Sequence, residues 1–199
     1  MTAQRFLLGG KPITIEPRRK WMGDTVFSES TKMGHVNEQG LALAYYGGEG
    51  WGKLVRDGKY HDGAFSDELV EAAAALIERE WGELLRQRPW LTFVPSLRHP
   101  RLVPDYAARL AKRLNLPCIE AVRCAQTVPE QKTMQNSYQQ LANIQQAFAL
   151  LPFAERGPVI LVDDMLDSGW TMTVIGWLLR DHGASAVYPF VLAKATPSD

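Results

Sequence analysis

Apolar and polar positions along this chain alternate between two periods, one helical and one extended. From residue 66, Leu69, Ala73, Leu76 and Ile77 recur at helical spacing, and Leu84 and Leu85 prolong the stripe. Ser66-Asp67-Glu68 places a capping residue and two acids where the helix dipole favours them, and Pro89 ends the helix. Residues 89–95, PWLTFVP, read as a buried strand, and residues 96–101 as the loop after it. Tyr106, Leu110 and Leu114 mark the inner face of a second helix over residues 104–115. Leu116-Pro117 then turns the chain into a third element at 118–122.

The last third repeats the scheme. Residues 158–162, PVILV, form a short apolar run ending in two carboxylates, Asp163 and Asp164, which should lie just beyond the strand's carboxyl end. A helix over 171–182 turns Val174, Ile175, Leu178 and Leu179 inward and stops at Gly183; a strand at 186–193 follows. Pro189 removes a ladder donor from that strand, which predicts an edge position or a bulge. Strand, helix, strand, twice over, predicts an α/β fold: a doubly wound, mainly parallel sheet with helices on both faces. Residues 63–199 would form this core.

Residues 1–62 are less regular, broken by Gly34, Gly40, Gly47, Gly48, Gly50 and Gly52, and read as an N-terminal extension or hood-like subdomain. Within them, residues 40–46 fit a strand or a short helix, and a helix is expected. Arg18-Arg19-Lys20 reads as a solvated surface run.

Composition narrows the class without choosing a function. The chain has 199 residues, of which 46% are hydrophobic and 22% charged, as in an ordinary globular protein of one good-sized domain. Net charge is zero, so no global basic field draws it to nucleic acid or membrane. Cys118 and Cys124 make neither a disulfide framework nor a zinc site, so the expected compartment is the reducing cytoplasm. No apolar run approaches the ~18 residues of a membrane span. The apolar stretch near the first residues is too short for a signal peptide.

The chemistry concentrates at residues 158–171, PVILVDDMLDSGWT. Two adjacent acids suit hydroxyl groups or a metal. The loop Asp167-Ser168-Gly169 then opens a helix, where backbone amides make an anion site and glycine admits close approach. A ribose 5-phosphate has the same polarity, a diol beside a dianion. A Walker B reading would need a GxxxxGK[ST] loop, which is absent, since Gly9-Gly10-Lys11-Pro12 is too short. A phospho-acceptor receiver domain carries its acids after the first strand, whereas only 35 residues follow Asp164 here. A structural loop with no ligand is the remaining alternative.

The stretch resembles the PRPP-binding signature of type I phosphoribosyltransferases, an apolar strand followed by DDxxx[ST]GxT, with every defining position filled. The resemblance implies that Asp163 and Asp164 hold the ribose hydroxyls and, through these or water, Mg²⁺. It implies a 5-phosphate cradle from Leu166, Asp167, Ser168, Gly169, Trp170 and Thr171, with Asp167 as general base. By position, the loop with Ser96 and Arg98 would meet pyrophosphate, Arg98 bidentately; His99 reads as a loop histidine.

Residues 127–148 are polar and amide-rich, and correspond to the loop that closes over the reaction in the family. Gln131-Lys132, Gln139, Asn143 and Ala147-Phe148 resemble the ComF-like branch, and Lys132 would offset pyrophosphate charge. More widely, IEPRRKW at 15–21, EQGLALA at 38–44, Gly50-Trp51-Gly52, VPSLRHPRLV and GPVILVDDMLDSGWTMTV resemble the phosphoribosyltransferase-like C-terminal region of bacterial RecQ-family DNA helicases. This implies an accessory domain that binds PRPP or a phosphoribosyl nucleotide in DNA repair or recombination, with a helicase module and DNA as partners and a homodimer as one assembly. The alternatives are a free-standing Mg²⁺-dependent phosphoribosyltransferase acting on a nucleobase, and an interaction domain with a relic pocket.

Overall fold

The computed structural model describes residues 12–21, 32–47, 49–125 and 147–196. Its centre is a five-stranded sheet. The strands are β1 (Ile13–Ile15), β2 (Gly40–Tyr45), β3 (Trp90–Phe93), β6 (Val159–Leu166) and β7 (Val187–Lys194), in the spatial order β1-β2-β7-β6-β3. The pairs β2–β7, β7–β6 and β6–β3 are parallel, and only the edge strand β1 runs antiparallel. Two short strands, β4 (Val122–Cys124) and β5 (Phe148–Leu150), pair antiparallel in a separate sheet. The helices are α1 (Trp51–Asp57), α2 (Asp67–Glu80), α3 (Gly82–Arg86), α4 (Leu102–Leu114) and α5 (Trp170–Asp181), and a π-helical turn, Gly58–Asp62, follows α1.

Both sheet faces are covered. Ile160, Val162, Phe190 and Leu192 pack with α2 and α4 residues such as Leu69, Ile77, Tyr106 and Leu110. Val159, Leu161, Val187 and Val191 pack on the opposite face with Met172, Ile175 and Leu179 of α5. Strand residues buried on both faces explain the continuous apolar runs, and each such side chain contributes about 1.5–3 kcal/mol. The protein is therefore an α/β molecule with a mostly parallel, mixed sheet between layers of helices.

Four expectations change. Residues 40–46 hold a strand rather than a helix, because Leu41 and Ala42 bury into opposite cores beside β7. β7 is central rather than at an edge. Pro189 is tolerated there because the β2 pairing only starts at Leu41↔Phe190, and Gly40, with no Cβ, lets the ring fit; a Cβ would lie 2.9 Å from Pro189 Cβ. The first helix breaks at Trp81, which leaves helical geometry (φ −117°, ψ 29°) and sets its ring edge-on against Tyr188 and Phe190. Residues 118–122 are not one strand: Cys118 bridges to Leu91, and Val122 begins β4.

β6 also runs further than the apolar pattern suggests, through both acids to Leu166. β3 stops at Phe93, opposite Val162, while β7 continues to Lys194, opposite Leu166. Asp163 is thus still paired with Val191 of β7, and both acids lie beyond the end of β3. From β6 the chain passes through α5 to β7 on one side; from β3 it passes through α4 to the Leu91↔Cys118 bridge on the other. The crossovers diverge between β3 and β6, which is where open α/β sheets leave a crevice. Strands β1 and β2 belong to the same sheet as the later segments, and no helix among the described residues is long and apolar enough to cross a membrane.

Candidate functional site

Asp164 is 7% exposed and points to the face covered by α2 and α4. Lys59 of the π turn reaches it there, with Nζ 2.9 Å from Oδ2 and 3.1 Å from Oδ1. The turn is shaped by two glycines. Gly58 packs where a Cβ would meet Ala64 O and the Phe65 ring, and Gly63 has φ +67°. A π-turn is rare, and such turns recur at functional sites. Burial works against the Lys59 ammonium, but its hydrogen bond to Asp164 and that carboxylate's charge offset it, so the pKa is raised.

Asp163 Oδ1 accepts the backbone N–H of Asp164 at 2.8 Å. Protein encloses this carboxyl, although part of its surface still meets solvent. Burial pushes its pKa well above the usual carboxylate range, and the charge of Asp164 adds to that; the Asp164 amide and Lys59 act in the opposite sense. The two neighbours therefore differ: Asp164 has a cation on both oxygens, while Asp163 favours its proton.

The loop from β6 to α5 lies three to five residues further on. Gly169 has φ +78°, a left-handed conformation that ends the strand and starts α5, and its carbonyl accepts the amide (3.0 Å) and hydroxyl (2.9 Å) of Thr173. Asp167 and Ser168 are exposed beside it. Leu166 to Gly169 line one wall of a cleft of about 310 Å³; Glu16, Arg18, Asn37, Glu38 and Lys194 contribute to the others. Asn37 donates to Met172 O at 2.9 Å, and Lys194 donates to Thr14 O at 2.9 Å.

Arg18 is exposed, as the surface reading has it, yet engaged. Its Nε and Nη2 donate to Ser168 O at 3.2 and 2.5 Å, and its guanidinium carbon lies 4.1 Å from the centre of the Trp170 ring. Trp170 is buried against Trp21, ring centres 6.4 Å apart and nearly parallel, so its side chain belongs to a small core with Met33 and Val174. Thr171 is half-buried in the first turn of α5 and does not line the cleft.

The fold thus brings Asp163, Asp164 and the 166–169 loop to one end of β6. Ser96 and Arg98 lie in the loop that leaves β3 after Val94, whose amide donates to Val162 O, one residue before Asp163. Ser96 Oγ accepts the amide of His99 at 3.2 Å, and Arg98 is exposed. Lys132, with Gln131, Gln139 and Asn143, lies outside the described residues. Sequence reasoning missed Lys59, because no local pattern signals a contact across 105 positions. It also missed the contacts that Arg18 makes with the loop.

Among the described residues no group of three or more His, Cys, Asp or Glu side chains gathers to hold a metal ion. No protein-family model matches this chain, and no curated protein matches it either.

Proposed function

We propose that this chain binds a ribose 5-phosphate-containing ligand, PRPP or a phosphoribosyl nucleotide, in the manner of type I phosphoribosyltransferases. The observation that carries the reading is the order of groups along β6. Two carboxylates stand at the crevice between diverging crossovers, and an αL glycine loop opening a helix follows within five residues. The acids accept hydrogen bonds from the ribose diol. The amides of the 166–169 loop and the hydroxyl of Ser168 hold the phosphate. Asp167, exposed at the cleft, is the group with access to a proton on the ligand.

Two neighbouring hard oxygen donors suit Mg²⁺ bound through ligand oxygens rather than in an all-protein cage. Its contribution when bound is neutralisation of charge on a diphosphate. The wider sequence resemblance to the C-terminal region of RecQ-family helicases suggests an accessory role beside a DNA helicase.

The test is calorimetric titration with PRPP, with and without Mg²⁺, on the wild type and on Asp163→Asn. The Asn side chain keeps an oxygen for the Asp164 amide, so the fold is retained. Binding that is lost or falls at least tenfold in the variant supports the reading; equal affinity in both proteins refutes the diol assignment.

A further inference from the structure

The acid pair carries a cation that a diol alone does not require. Resting on the ribose-phosphate reading above, we propose that Lys59 is a specificity-determining residue, selecting ligands that carry a second anionic group beyond the diol, as PRPP does at C1.

The argument is one of sides. The phosphate loop opens toward the face covered by α5, into a cleft walled by Glu16, Arg18, Asn37 and Met172. Lys59 approaches from the opposite face. Its turn packs on Phe65, which belongs with Val55 to the core shared by α2 and α4. Asp163 and Asp164 stand between. In the proposed pose, with the 5-phosphate in the loop and the hydroxyls on the acids, the C1 substituent lies on the Lys59 side.

Charge makes the selection. The Asp164 carboxylate repels an anion placed beside it, and that repulsion is strong in a partly enclosed site. The Lys59 ammonium, with its side chain 17% exposed, offsets it. It also leaves room on Asp164, because a carboxylate has about four acceptor sites and Lys59 meets each oxygen once. An ammonium has three donors, so it can keep Asp164 and add a ligand oxygen. Tyr60, the next residue, is exposed, with the Lys59 ammonium 5.9 Å from its ring centre.

The experiment compares PRPP with ribose 5-phosphate, at one Mg²⁺ concentration, on wild type, Lys59→Gln and Lys59→Arg. Lys59→Gln is expected to weaken PRPP at least tenfold while ribose 5-phosphate stays within about twofold, and Lys59→Arg keeps the preference for PRPP. A second measurement uses unaltered protein: PRPP, but not ribose 5-phosphate, slows acetylation of Lys59 read by mass spectrometry. Equal weakening of both ligands in Lys59→Gln would make Lys59 a mere support for Asp164 and overturn the proposal. So would acetylation unaffected by PRPP, which decides the matter even if the Gln variant does not fold. Wild-type protein that binds neither ligand overturns the ribose-phosphate reading itself, and the assignment of Lys59 with it.

Discussion

The Arg18 guanidinium lies 4.1 Å from the centre of the Trp170 ring and donates to the carbonyl of Ser168, so one side chain ties the strand β1 exit to the β6–α5 loop. This contact accounts for the large residue in the variable slot of DDxxxSGxT. Trp170 is a platform, with Trp21 stacked on it and Arg18 over it, rather than a ligand contact. Arg18→Ala removes a cation–π contact worth about 0.5–1 kcal/mol at an exposed site and two donors to Ser168 O. A small fall in stability is expected in urea denaturation, together with a larger fall in PRPP affinity. Affinity equal to wild type would show that the loop holds its shape without Arg18.

Gly169→Ala separates loop conformation from packing. A Cβ there would meet Leu166 Cδ1 at 3.8 Å and Arg18 Nε at 4.0 Å, which are ordinary contacts, so the cost comes from φ +78° alone. About 1–2 kcal/mol of lost stability is expected, with weakened phosphate binding. An unchanged urea midpoint would contradict the left-handed geometry assigned to this residue.

Gly176→Ala acts at a distance from the loop. Its Cβ would collide with the side chain of Asn37, whose amide donates to Met172 O across the cleft wall. Overpacking of this kind costs about 1–3 kcal/mol. Thermal unfolding checks it, and a variant as stable as wild type would mean that Asn37 moves aside freely.

Asp163→Asn bears on stability as well as binding. The folded state raises this carboxyl's pKa, so between the unfolded and folded values the folded protein binds more protons. The stability that Asp163 contributes is therefore fully present below the unfolded value, about 3.9, and is lost as pH rises through the folded one. In metal-free buffer the variant should melt above wild type at neutral pH, and the gap should narrow toward acid. A gap independent of pH would contradict the burial assigned to Asp163.

Much of this was legible in the sequence, and the failures have physical causes. Residues 158–171 announced themselves because a buried strand, two acids and a glycine in a loop opening a helix are each local patterns. Residues 40–45, GLALAY, did not, since a six-residue run apolar on both faces has no period to distinguish strand from helix. Pro189 misled because its rule concerns the donor lost, while tolerance came from Gly40 and the start of the β2 pairing, which is long-range information. Lys59 and Arg18 belong to the same class. Their partners, Asp164 and Ser168, are set by the folded sheet and not by neighbours in the chain.

The central claim is that a phosphate sits on the β6–α5 loop with its sugar over Asp163 and Asp164. The most direct test is an amide chemical-shift titration of isotope-labelled protein with PRPP in the presence of Mg²⁺. The account predicts that the largest shifts fall on Asp163, Asp164 and the amides of Leu166 to Gly169, and saturate together. Shifts confined elsewhere, or none at millimolar PRPP, would contradict it.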